Sequence, residues 1–138
     1  MRPPEPRPAP PAPSTTQLAV IRMAMLAGVL LLGAFAWWTR RSGAQRATDP
    51  EFGRILGVLP LALGVVTLVA VVLLRRAVAQ DRDPARGASL RLIGWAVGEA
   101  AALTGGVGYL LTGNVTSYLI GLAVLVFTFV GLPLPERR

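Results

Sequence analysis

One side chain in this sequence is placed to do chemistry inside an apolar run. It is Glu99, near the middle of LIGWAVGEAAALTGGVGYLL at 92–111. The run is about long enough to cross a bilayer as one helix, and an ionisable group at that depth costs at least ~2.5 kcal/mol. Three roles suit it. It can carry a proton or a small cation, it can pair with Arg22 in the first apolar run, or it can sit neutral, bonded to a backbone carbonyl or to Thr104. Enzyme chemistry in a membrane asks for more: a nucleophile with its base, paired acids, or metal ligands. The 138 residues contain no Cys and no His, which removes thiolate and imidazole chemistry and most transition-metal sites. Thr67, Thr104 and Thr128 are scattered, and Asp81 and Asp83 stand among arginines that account for them by ion pairing. Gly105-Gly106-Val107-Gly108 lies inside an apolar span and is not a phosphate cradle. The expectation is a non-enzymatic protein with no catalytic residue, no metal site and no cofactor.

The elements that would hold Glu99 are four apolar blocks, 18–38, 55–74, 92–111 and 116–132, in a chain that is 53% hydrophobic. Arginine-bearing segments separate them. This predicts an all-α integral membrane protein with four transmembrane helices arranged as two antiparallel hairpins over 17–135. A Pro-rich tail over 1–16, holding seven of the 12 prolines, is expected to be disordered, and 136–138 form a basic end. In the first block Arg22 lies one turn inside and can snorkel, while Trp37 and Trp38 suit the opposite interface. Ala34-Phe35-Ala36 fits a signal-peptidase site, but the tryptophans after it and the long proline-rich region before it favour a retained anchor. Pro60 should kink the second block or mark a late helix start. The segment 75–91 reads as a charged loop, and Thr112-Gly113-Asn114 as a short turn that makes the last two blocks a hairpin. Trp95, Tyr109 and Tyr118 fit interfacial positions.

Basic residues outnumber acidic ones 14 to 7, and every one is arginine. A nucleic-acid reader gathers such charge on one soluble face; here it marks the ends of apolar blocks, so the expected partner is the lipid bilayer and not nucleic acid. Arginine with surplus Ala, Gly and Pro is the composition of a GC-rich bacterial genome, hence a bacterial inner membrane. Counting arginines places both termini in the cytoplasm: Arg2, Arg7, Arg22, the five of 75–91, Arg137 and Arg138 lie inside, against Arg40, Arg41, Arg46 and Arg54 outside. Gly94, Gly98, Ala102, Gly105 and Gly106 would let a second helix approach closely. Through this third helix the protein is expected to meet a second copy or another membrane protein, in a structural or interaction role.

Gly94-(x4)-Glu99-Ala100-(x4)-Gly105-Gly106-Val107 resembles the ion-carrying helix of subunit c, the rotor-ring proteolipid of rotary ATP synthases. Arg82-Asp83-Pro84 resembles that family's polar cytoplasmic turn. The likeness covers 82–111 and implies an alternative function, a proteolipid handling protons or small cations, with Glu99 as the ion-binding residue. The sequence departs from the family at 55–74, where Gly57 and Gly64 do not make a Gly-x-Gly-x-Gly-x-Gly ribbing, and in having two further apolar blocks.

Overall fold

The computed structural model describes residues 13–43, 50–81 and 83–135. These form four helices and no strand: α1 (Thr15–Arg41), α2 (Pro50–Gln80), α3 (Pro84–Thr112) and α4 (Val115–Gly131). The first twelve residues of the expected tail and the basic end at 136–138 lie outside the described residues, as do Arg46 and Arg82.

Each helix that carries a cap starts on a local signal. Ser14 caps α1: its hydroxyl accepts from Gln17 N at 3.2 Å, and the Gln17 side chain accepts from Ser14 N at 2.8 Å. That is a capping box written as Ser-Thr-Thr-Gln, so α1 begins inside the stretch expected as tail. Asp83 caps α3, accepting from Ala85 N at 2.9 Å, with Pro84 in the first turn where its missing N–H costs nothing. Asn114 caps α4, accepting from Thr116 N at 3.0 Å. Between α3 and α4 stand only Gly113, at φ 77°, and this asparagine.

The charged loop expected over 75–91 shrinks to residues 81–83. Arg75 and Arg76 continue α2, while Arg86 and Arg91 belong to α3. Asp81 pairs with Arg86 and Asp83 caps α3, so both described residues between the helices are tied to α3. Pro60 does not delay α2 either; it lies buried ten residues inside the helix. Pro60 offers no N–H to the Leu56 carbonyl, and that carbonyl lies against Gly108 of α3, where a Cβ would stand 3.3 Å from it.

The register of the bundle follows from where the glycines touch. Along α3, Gly94 meets Leu132, Gly98 meets Thr128, and Gly105 meets the Ser117 backbone, so α3 and α4 run antiparallel. Gly94 also faces Leu74, Gly108 faces Leu56 and Thr112 faces Gly53, so α2 is antiparallel to α3. Leu32 packs on Gly106 and Arg40 reaches Tyr109 and Leu110, so α1 runs parallel to α3. Helix α3 is the hub, packed against all three others, while α1 and α2 share no contact among the described residues.

The outer surface is apolar. Leu31, Phe35, Val65, Val69, Leu73 and Val130 all stand exposed. Two helices, Thr15–Arg41 and Gly53–Gln80, are long and apolar enough to cross a membrane, and only 17% of each apolar window is buried. A core helix of a soluble protein would be mostly covered. Helix α4 is as apolar but spans 17 residues.

Candidate functional site

Helix α3 carries Glu99 half-buried, midway along the helix. Seven residues, close to two turns, separate it from Gly106, so both look to the side where α1 packs. The next positions round the helix, Ala96, Ala100, Leu103 and Val107, are exposed. Glu99 therefore sits at the seam between the α1-facing side of α3 and its open side. Among the described residues its carboxylate makes no hydrogen bond and no ion pair. Thr104 does not serve it, because the Thr104 hydroxyl donates to the Ala100 carbonyl at 2.8 Å.

The pairing of Arg22 with Glu99 does not form. The Arg22 guanidinium lies over the Phe129 ring, 4.5 Å from its centroid. The reason is rotational: Arg22 follows buried Leu18 by four residues and precedes buried Val29 by seven, so it shares their face of α1. That face is turned toward α4, where the Tyr118 hydroxyl donates to the Val29 carbonyl at 3.2 Å. Glu99 lies at the edge of the α1–α3 contact, beside the open side of α3, and the guanidinium is turned away from it toward α4. A guanidinium on an aromatic face gains ~0.5–2 kcal/mol, which favours this position of the side chain.

Around Arg22 stands a built cluster that closes the C-terminus of α4. Phe129 meets Trp95 edge to face, centroids 6.0 Å apart. Trp95 is fully buried, and its indole N–H donates to the Leu132 carbonyl at 3.0 Å. Arg91 Nε donates to the Pro133 carbonyl at 3.1 Å. Arg91 and the Trp95 indole thus serve the carbonyls that follow α4, while Arg22 on Phe129 brings a second positive charge to the negative end of the helix dipole. The interfacial position expected for Trp95 is not where the fold puts it; it is the largest fully buried side chain, because its face of α3 is the one α4 covers. At the opposite end Tyr109 and Tyr118 lie against one another, 6.2 Å between centroids. Arg40 stands over Tyr109 and donates to the carbonyls of Tyr109 and Leu110 at 3.5 and 3.4 Å, capping α3 across the space that Gly113 leaves by lacking a Cβ. These tyrosines bind helices together as well as marking an end of the bundle.

The chain matches no protein-family model, no curated protein and no solved structure.

The small residues of α3 come together on its inner faces but serve different neighbours. Gly94, Gly98 and Gly105 admit α4, and Gly106 admits Leu32 of α1. Ala102 lies under Gly121 of α4, where a Cβ would stand 2.8 Å from the Ala102 Cα. Their small size is used inside the bundle, and the side of α3 left open is the alanine-bearing one. The other half of this seam, Ser117, Gly121 and Thr128 on α4, is absent from the residues that sequence reasoning singles out for packing. A signal for it exists, since these positions recur at four and seven residues, within one helix face. Thr128 is buried and donates to the Leu125 carbonyl at 2.7 Å, whereas the buried Thr67 hydroxyl has no partner among the described residues.

A cleft of about 420 Å³ opens where the start of α1, the end of α2 and the start of α3 converge, lined in part by Ser14, Asp81, Asp83 and Arg91. Its carboxylates are engaged. Asp81 pairs with Arg86 at 3.1 Å and accepts from Asp83 N at 3.0 Å, and Asp83 caps α3. Among the described residues no three His, Cys, Asp or Glu side chains gather where they could hold a metal ion.

Proposed function

We propose that this is a small four-span protein of a bacterial inner membrane, with both termini in the cytoplasm; its four helices pack around α3, and the expected pairing into two hairpins holds for α3 and α4 but not for α1 and α2, which share no contact among the described residues. It works without catalysis, by binding a membrane helix of a second copy or of another protein through the open side of α3. The observation that carries this reading is the state of α3: packed on three neighbours, it keeps Ala96, Ala100, Leu103 and Val107 exposed beside a carboxyl without a partner among the described residues. Small exposed residues permit close helix approach, and an intramembrane acid without an internal partner calls for one from outside. The absence of native cysteine gives a clean test. A single thiol at Ala100→Cys should cross-link in native membranes to a discrete dimer or heterocomplex, while Val126→Cys on the exposed side of α4 should not. Monomer alone at both positions would defeat the proposal.

The unpartnered carboxylate also favours a second reading, that of a proteolipid in the manner of subunit c, with Glu99 taking up a proton or small cation. A carboxyl-reactive carbodiimide should then label Glu99, cations should block the labelling, and stable rings should survive mild detergent. An unreactive Glu99 in a protein that forms no ring would exclude it.

A further inference from the structure

The outward side of α2 runs without interruption from apolar residues into two arginines. Val65, Val69, Val72 and Arg76 follow one another at four, three and four residues, and Leu68, Val72 and Arg75 at four and three; all are exposed. Neither Arg75 nor Arg76 makes a hydrogen bond, an ion pair or a ring contact among the described residues. The other described charges at this end of the bundle are engaged. Arg86 holds Asp81, Asp83 caps α3, Arg91 serves the Pro133 carbonyl and Arg22 lies on Phe129. Two guanidiniums are thus left with no counter-charge from the described residues, at the foot of an apolar stripe.

From this we infer that Arg75 and Arg76 form a headgroup site for an anionic phospholipid whose acyl chains lie along Val65, Val69 and Val72. The inference rests on the membrane reading above. Guanidinium forks match phosphate oxygens in geometry and charge. The eleven residue steps from Val65 to Arg76 rise ~16 Å, close to the ~15 Å depth of one leaflet's hydrocarbon. A chain packed on the valines therefore delivers its phosphate to the arginine pair. A headgroup with its own ammonium would bring a like charge beside the guanidiniums, so the site selects the phosphatidylglycerol type over the phosphatidylcholine type.

The test uses the full chain reconstituted in phosphatidylcholine vesicles, with spin-labelled phosphatidylglycerol or spin-labelled phosphatidylcholine as the probe of motionally restricted lipid. Wild type should restrict phosphatidylglycerol about fivefold more strongly, the equivalent of one arginine's attraction to an anionic leaflet. Arg75→Gln/Arg76→Gln should remove the preference, whereas Arg86→Gln should keep it, because Asp81 already neutralises that charge. Equal restriction of the two lipids by wild type overturns the site, as does a preference that survives in the double variant. Loss of the preference on adding inorganic phosphate would make it a site for free anions and overturn the lipid assignment. Vesicle-associated protein that restricts neither lipid would overturn the membrane reading beneath it.

Discussion

Replacing Gly105 by alanine adds one methyl group at the tightest backbone approach in the bundle. The new Cβ would collide with the Ser117 carbonyl oxygen and stand 3.2 Å from its carbon and 3.3 Å from the Tyr118 Cα. All three are backbone atoms, so no rotamer change relieves the clash and α3 and α4 must move apart by about 1 Å, a gap that forfeits a quarter to a half of each dispersion contact it opens. Overpacking of this kind costs ~1–3 kcal/mol, offset by ~1 kcal/mol of helix propensity gained on leaving glycine. The net expectation is a loss of up to ~2 kcal/mol. Gly28 on α1 is the matched control, since a Cβ there meets nothing within 4 Å. Gly28→Ala keeps only the propensity gain and should be neutral or up to ~1 kcal/mol more stable. Unfolding of the full chain in mixed micelles by a denaturing detergent, followed by circular dichroism, measures both. A Gly105→Ala variant as stable as Gly28→Ala would refute the register of α3 against α4.

Arg22→Leu and Glu99→Gln should be additive in stability within ~0.5 kcal/mol, whereas Arg22→Leu and Phe129→Leu should couple by ~0.5–2 kcal/mol in a double-mutant cycle; the reverse pattern would restore the Arg22–Glu99 ion pair. Trp95→Phe keeps an aromatic edge on Phe129 but orphans the Leu132 carbonyl, so it should cost ~1–3 kcal/mol in the same unfolding assay. Thr67→Val removes a buried hydroxyl without a partner among the described residues and should leave the protein as stable or up to ~1 kcal/mol more so, and a clear loss would reveal a bond to that hydroxyl. Topology reporters should be active in the cytoplasm after Arg138 and outside at Gly43; the opposite pattern would overturn the arginine count and move the lipid site of Arg75 and Arg76 to the outer leaflet.

Much of the scaffold is legible without coordinates. Apolar block length is a local property, and each of the four blocks is the body of one helix. The turn at Gly113-Asn114 is legible because a left-handed glycine followed by an asparagine cap is written in two adjacent residues. Helix ends are harder to read. The Ser14–Gln17 capping box lies beside a proline-rich stretch that hides it, and the charge of 75–91 suggests irregular backbone where the chain is largely helical. Arginine is a good helix former, and a helix that leaves a membrane can carry its charges in helical turns.

The sequence by itself therefore determined where the helices lie, that the last two form a hairpin, and that one acid stands alone in an apolar run. Only the tertiary structure decided how each helix is rotated. A period of 3.6 residues says which side chains share a face, but not which face meets which neighbour, because that depends on contacts summed from distant segments of chain. Rotation sends Arg22 to Phe129 and leaves Glu99 at the edge of α3's open side. It divides the glycines of α3 between α4, α1 and α2, and it makes Trp95, a candidate interfacial residue, the largest fully buried side chain. The open side of α3 and the arginine pair on α2 are consequences of the same rotations, since they are the surfaces that no other helix covers.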